Sequence, residues 1–550
     1  LEENRIKTIL IISLIVLVQM TCRAADIESL ADLKTVAGAP ATYDNVTIKP
    51  GTYTLDADIT FSDNVLTVTH DGTAGDVIID CIDTYTFRIS NRTGYASNNT
   101  WSGIDTDHRI VWTQGNDDTL VLDCNSTGLN VTFNYCDFKE ADVGNGATMF
   151  DAVFGGTHTF IFNNCRAFNN RNDGFSISGT AYGTTLDGTF DGAFEVGEEA
   201  TGQTSGAVAT VAVVTAWWIT VQVTNSIDFQ DGEQVLGDVI GDLRAAGMTE
   251  DLGYVVFELN DCEAYNNDPT GGGGAAGDGY TQHASNQTGV ITGGSFYNNG
   301  KSGICIVDGS LTVTDATFYG NGGTVTTNAD LFIDTDSSPF VGVYGCTFKW
   351  LDTVNKTKRH IACQDSGLTH VVVENCVFKE PNSLSAAMIG AITFNGDMTL
   401  ELRGNVFSGF CQSGEYVIFT GANYENSILV AVNNTFYDSH NVIHPKTNKC
   451  MIVGNIFSEV DGTAIYDDAL DYDDNALNGY NCFHNCNMNS RGGDKSTDIN
   501  ADPLLFDPAN DDMRLKSKSP CLNAGPRTVN DGYADIGAWQ RKSFIRFGWW

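Results

Sequence analysis

VGVYGCTF (341–348) is followed thirty residues later by VVVENCVF (371–378), and the pair decides the fold. Each is an apolar strand that runs into a Cys- or Asn-bearing corner and resumes at an aromatic. The motif returns as VTFNYCDF (131–138), FIFNNCRAF (160–168), VVFELNDCEAY (255–265), VITGGSF (290–296) and LTVTDATF (311–318). LELRGNVF (400–407), LVAVNNTF (429–436) and MIVGNIF (451–457) complete the set. Apart from one long interruption, the aromatics recur every 21 to 31 residues. A fixed period in this range marks a solenoid. Short β-type segments between Gly/Asn/Asp turns, with no helical pattern between them, predict an all-β, single-stranded parallel β-solenoid. One turn per repeat stacks equivalent side chains about 4.8 Å apart. The aromatics are then expected to form one ladder inside the coil. Cys136, Cys165, Cys262, Cys346, Cys376, Asn405, Asn434 and Asn455 form another at the corner. Asn bonds along such a stack and tolerates a left-handed corner; Cys there acts as a small buried hydrophobe.

On these repeats the chain, over about residues 100 to 490, resembles right-handed parallel β-helix proteins of the pectate-lyase-like superfamily. The resemblance implies the fold. It leaves function among polysaccharide lyases, glycoside hydrolases, tailspikes and non-catalytic surface proteins.

Arg5, Lys7 and the apolar run Ile9 to Met20 read as a secretory signal over residues 1–25, too short for a membrane span. The expected location is therefore secreted or cell-surface. A formal net charge of -39 opposes passive binding to nucleic acid or anionic membranes. It also opposes polyuronates, unless calcium or a local cation offsets the field. Of the 15 cysteines, Cys22 falls in the signal and five on the ladder; the remaining even count of 14 leaves disulfides between turns open, and mostly free, buried thiols are the expectation.

Residues 26–100 read as an N-terminal cap with first coils, 101–182 and 251–490 as the helix proper, and 491–550 as a C-terminal cap. Residues 183–250 carry an internal pair, FEVGEEATG (194–202) and FQDGEQVLG (229–237), flanking strand-like AVATVAVV and WWITVQV. They read as a small inserted β module that resembles repeats of phage virion and some secreted β-proteins. Trp217 and Trp218 are candidates there for glycan stacking or for core. The tail, with DINADPLLFDP, MRLKSKSPCLNAGP and ADIGAW, resembles the C-terminal segment of bacterial surface and secreted β-helices.

Chemistry is expected where NDGF (172–175) and GDGY (277–280) repeat. Their register places Asp173 and Asp278 on adjacent coils, where paired carboxylates can share a proton, hold Ca2+ or support glycosidic cleavage. His283 lies on the same strand and Lys301 on the next coil. Asp173, Asp278, His283 and Lys301 are the candidate catalytic residues, and Arg171, Asp308 and Tyr280 the candidate substrate contacts. The Gly-rich loop 266–277 would border the cleft. Asp-Gly is equally a structural corner, since Asp bonds its own backbone and Gly takes positive φ. Two lesser candidates are the basic run Lys356, Lys358, Arg359, His360 and, for calcium, DDALDYDDN (467–475). The expected partner is a polysaccharide or surface glycan, bound by a monomer or trimer, with cleavage by lyase or hydrolase chemistry left open. The alternative is a non-catalytic adhesin or tailspike-like fibre.

Overall fold

In a computed structural model, residues 24–538 are described, except 39–42, 63–65, 83, 91–96, 116–117, 124–127, 142–144, 151–156, 178–183, 188–198, 203–207, 215–217, 224–233, 238–242, 246, 250–253, 269–276, 284–286, 323–328, 336–339, 350–358, 366–368, 381–389, 411–415, 421–426, 446–448, 467–476, 489–494, 511 and 527–533. Most of the signal segment and of the Gly-rich loop, Lys356 and Lys358 of the basic run, the acidic run 467–475 and Trp217 lie outside the described residues.

The chain winds as a parallel β-solenoid. Each coil gives one strand to each of three all-parallel sheets of 15, 15 and 12 strands. In one coil, Gln287–Thr292 belongs to sheet I, Ser295–Tyr297 to sheet II and Ile304–Ile306 to sheet III. The sharp corner between sheets I and II is set by one residue in the left-handed region, among them Asn164 (φ 53°), Asp261 (50°), Asn375 (57°) and Asn433 (56°). This residue precedes the expected corner ladder by one position, so the ladder residue itself is not the strained one. Registers of adjacent strands place Cys136, Cys165 and Cys262 in one row, which continues to Cys346, Cys376, Asn405, Asn434, Asn455 and Asn481. All twelve described cysteines are free, and eleven are buried.

Inside the coil, Phe296, Phe318, Phe348, Phe378, Phe407, Phe436, Phe457 and Phe483 form a continuous stack with centroids 4.6 to 5.5 Å apart. Burying each ring stabilises the fold by roughly 1.5–3 kcal/mol. Phe168 and Tyr265 are not part of this stack. They pair with Tyr297 and Tyr319 in a second ladder on the outer face of sheet II, with centroids 4.6 to 4.8 Å apart. In FNNCRAF the aromatic falls three residues after the corner, whereas Phe138 falls two after Cys136. In a strand one residue moves a side chain to the opposite face. Ala167 and Ala264 take the inward positions instead.

The strands at 184–249 form a separate seven-stranded antiparallel sheet. The solenoid register continues across them, since Thr157–Asn163 pairs directly with Tyr254–Asn260. Helix α1 (Leu30–Gly38), for which the sequence reading expected no helix, packs against the first strands of sheets I and III. Ser29 and Asp32 close a capping box at its start, and Leu33 and Val36 face the core. The helix thereby covers strand edges that would otherwise invite pairing. At the other end the tail folds back over sheet II. Leu505, Met513, Cys521, Ile536 and Ala538 pack on the outward Val406, Ile456 and Cys482. The Gly537 N–H bonds Gly454 O at 2.7 Å, and the Ala538 N–H bonds Thr435 Oγ1 at 3.0 Å.

Candidate functional site

On five successive coils sheet III begins with a polar row: Asp118, Asn145, Asp173, Asp278 and Ser302. In every step a side-chain oxygen accepts the backbone N–H of the equivalent residue one coil on. Asp118 Oδ1 takes Asn145 N–H (2.6 Å), Asn145 Oδ1 takes Asp173 N–H (2.9 Å), Asp173 Oδ1 takes Asp278 N–H (2.9 Å), and Asp278 Oδ1 takes Ser302 N–H (2.7 Å). Asp173 Oδ1 also accepts from Gly277 N–H at 3.0 Å. The two carboxylates foreseen as neighbours are therefore neighbours, and both are buried.

Burial raises the Asp173 carboxyl above its ordinary value, against the backbone N–H groups that lower it. Asp278 is pushed up to about 7, by burial first and then by the Asp173 charge. Lys301 opposes this. Its Nζ donates to Asp278 Oδ2 at 3.3 Å, and its side chain keeps a quarter of its surface in solvent (24%). Burial works to discharge that ammonium, but Asp278 outweighs it and holds Lys301 above its usual value.

His283 stands at the far end of the Tyr280–Gln282 strand, five residues and about 16 Å along from Asp278 by strand rise. It is exposed, and its backbone N–H bonds Ile177 O. Surrounding protein lowers its proton affinity while the Asp173 charge raises it. Asp308 lies on this same side, one residue beyond the position paired with His283, and bonds the Gly309 N–H at 2.7 Å. Between the two polar edges the outward residues are small: Ser176, Thr281 and Cys305, all buried. Arg171 is exposed on the loop ahead of Asp173.

Tyr280 is a correction. It points inward and is fully buried, with its hydroxyl on Gln282 Oε1 at 2.9 Å, so it cannot contact a substrate on the outer face. Gly289 on the opposite wall makes the room. A Cβ there would lie 2.6 Å from the Tyr280 hydroxyl and 2.7 Å from Gln282 Oε1. Gln282 Nε2 in turn donates to Asp308 O at 2.9 Å.

Of the basic run, His360 turns inward and is fully buried. Its Nδ1 meets Asp330 Oδ2 at 2.6 Å, closing an internal amide ladder of Asn170, Asn267, Asn299 and Asn321. The sequence reading passed over Cys305, the Asp330–His360 pair and the buried Glu380. For His360, Asp330 and Glu380 the signal is a polar residue at an inward strand or corner position, and for Cys305 its place on the outward face between the polar edges; both are visible only once the register is fixed.

The site does not fit calcium. Both Oδ1 atoms are committed to backbone N–H groups, and an ammonium occupies the side of Asp278 Oδ2. Among the described residues no three His, Cys, Asp or Glu side chains converge as metal ligands. No helix among them is long and apolar enough to cross a membrane.

No family model matches the sequence, and no curated protein matches it either. Among solved structures, the chain is similar to a mannuronic acid specific polysaccharide family 6 lyase from human gut microbiota, at 10% identity, with 89% of this chain and 94% of that one covered and a TM-score of 0.42. Tailspike protein 3 of bacteriophage CBA120 is similar at 9% identity, covering 84% of this chain and 59% of that one, with a TM-score of 0.40. Pectate lyase Pel9A is similar at 14% identity over 95% and 97% of the two chains, with a TM-score of 0.28.

Proposed function

We propose that this is an exported protein that binds an extracellular polysaccharide and cleaves it on the outer face of sheet III. Asp278 serves as the proton-transfer group and Lys301 as the cation that meets an anionic sugar, with His283 a contact further along the bound chain. The supporting observation is the Asp278 carboxyl, held near neutrality beside a partly exposed ammonium. A general acid or base works best with its proton affinity near the working pH. Asp173 positions Asp278 and raises it, and Arg171 and Asp308 flank the bound chain. Hydrolysis by two opposed carboxylates needs both to reach the substrate. Here each carboxylate spends an oxygen on the next coil, so the arrangement favours cation-assisted elimination over hydrolysis.

A non-catalytic rod is the second reading, and a specific observation favours it. Asn145 makes the same bond as Asp173 and Asp278, so the row has a structural purpose without chemistry. A panel of polysaccharides, followed for unsaturated-uronate absorbance and reducing ends, separates the readings. Elimination predicts absorbance that disappears in Lys301→Ala and Asp278→Asn. Reducing ends without absorbance would replace elimination with hydrolysis. Silence across the panel from folded protein would leave the rod. Light scattering of the same sample distinguishes monomer from trimer.

A further inference from the structure

The strand Cys482–Met488 brings the Cys482 side chain to the outer face of sheet II, between the inward neighbours Asn481 and Phe483. The tail lays Cys521 on the same patch. Both sulfurs sit in one buried cluster with Val406, Ile456, Met513 and Ile536. Cys521 is fixed from both sides: its N–H bonds Ser519 Oγ at 3.1 Å, and its carbonyl accepts the Ile536 N–H at 2.9 Å. The geometry points to a Cys482–Cys521 disulfide that staples the C-terminal tail to the last coils once the protein meets a disulfide oxidant.

The corner ladder shows why this pair and not the others. Cys136, Cys165 and Cys262 stack on successive coils of one rigid row, so their Cβ vectors run parallel rather than toward each other, and a disulfide needs them to converge. Carbonyl bonds do not separate the two groups, since the Cys136 thiol bonds Asn134 O at 3.3 Å and the Cys482 thiol bonds Ala501 O at 3.3 Å; the direction from which the two sulfurs approach does. Cys482 and Cys521 come from two facing layers, one a solenoid strand and the other the tail packed over it, so their side chains approach from opposite sides.

The thiolate is the attacking species in disulfide exchange. In the docked state the neighbouring Cys521 thiol and burial both push Cys482 far above the ordinary thiol range. Oxidation therefore passes through a state with the tail lifted, and it traps the tail when it re-docks. The oxidant is a small-molecule or enzyme disulfide. Its S–S bond breaks to two thiols while the two cysteines lose two protons and two electrons and form one S–S bond. The cross-link closes a loop from residue 482 to 521 and leaves the active-face residues untouched. It is independent of the glycan reading.

The test uses the full chain, purified reduced and exposed to oxidised glutathione. Intact mass and non-reducing peptide mapping should show one cross-link, joining the peptides of Cys482 and Cys521. Limited proteolysis within 499–538 should slow severalfold in the oxidised protein. Cys521→Ala should lose both the cross-link and the slowing. No cross-link in folded wild-type protein after prolonged oxidation, or one mapped to ladder cysteines, overturns the proposal. The mapping needs no variant, so misfolding of Cys521→Ala would not blunt it.

Discussion

Two polar ladders run along this solenoid, and they satisfy the backbone in different ways. The amide ladder Asn405, Asn434, Asn455 and Asn481 closes on itself. Each Oδ1 accepts both the N–H and the Nδ2 of the preceding Asn, and each Nδ2 also reaches a carbonyl, as Asn434 Nδ2 reaches Leu402 O. The carboxylate row Asp173–Asp278 accepts the same kind of backbone bond but has no donor to return. It therefore buries charge, and the charge draws in Lys301. The amide ladder is neutral and inert. The carboxylate row stores proton affinity near pH 7, which makes it a candidate for chemistry although its bonds are structural.

The hardest break of the comparison is at the amide ladder. Asn434→Ala strands the Asn405 N–H and Nδ2 and the Leu402 carbonyl in the core. Each buried orphan costs about 1–3 kcal/mol, so a loss on the order of 4 kcal/mol is expected. Urea unfolding followed at several probes reads it, because a solenoid need not unfold in one step. A shift under about 1 kcal/mol would mean the ladder is decoration.

The carboxylate row should reveal itself in pH dependence. Asp278 titrates near 7 in the fold and near 3.8 as its reference. Between those values the folded state holds a proton that the unfolded chain has released, so stability falls as pH rises from about 4 to about 7 and then levels. The change is a few kcal/mol at most. Glu380, buried and raised to about 8, adds a similar decline that reaches about one unit higher. Asp278→Asn keeps the acceptor for Ser302 N–H and should flatten the component ending near 7. Glu380→Gln should flatten only the later one. Thermal melts from pH 4 to 9 decide it, and an unchanged profile in Asp278→Asn would show that the carboxylate stays ionised throughout.

Lys301→Met sharpens the same point at smaller scale. Without the ammonium, Asp278 should climb further, and stability at pH 8 should drop by about 2 kcal/mol, discounted because Lys301 is partly in solvent. At pH 5 the loss should shrink, since Asp278 is then protonated. An equal loss at both pH values would assign Lys301 to packing rather than to charge.

How much of this was legible follows from what each signal measures. The corner row was readable from Cys136 through Asn455, because those residues share one offset from the apolar strand; Asn481, which extends it by a coil, lies outside the repeats that carried the reading. The aromatics were readable only by counting from that corner. Phe168 and Tyr265 sit one residue further out, and with a period of two that single step moves them from core to surface. Asp173, Asp278 and Lys301 were found by repetition. The bonds that bind the two carboxylates were not, because Asn145 at the same position carries no visible Asp-Gly motif. Tyr280 was misplaced because its room comes from Gly289, on the facing wall of the same coil, and no local pattern couples the two.

The gentlest test asks whether cysteine and asparagine are interchangeable answers at one corner. Cys376 sits next to Asn405 in the row, and its N–H already bonds Asn405 Oδ1 at 2.9 Å. Its thiol donates to Val343 O, the counterpart of the carbonyl that Asn405 Nδ2 reaches at Val373. Cys376→Asn should therefore extend the amide ladder by one coil, with Nδ2 taking over the Val343 bond and adding a second to Asn405 Oδ1. The exchanged groups are alike in size, so the shift in urea midpoint should correspond to less than about 1 kcal/mol. A large loss would mean that Cys346, the next thiol in the row, cannot stand beside an amide, and that the row's change from sulfur to amide at Asn405 is a boundary rather than a choice between equals.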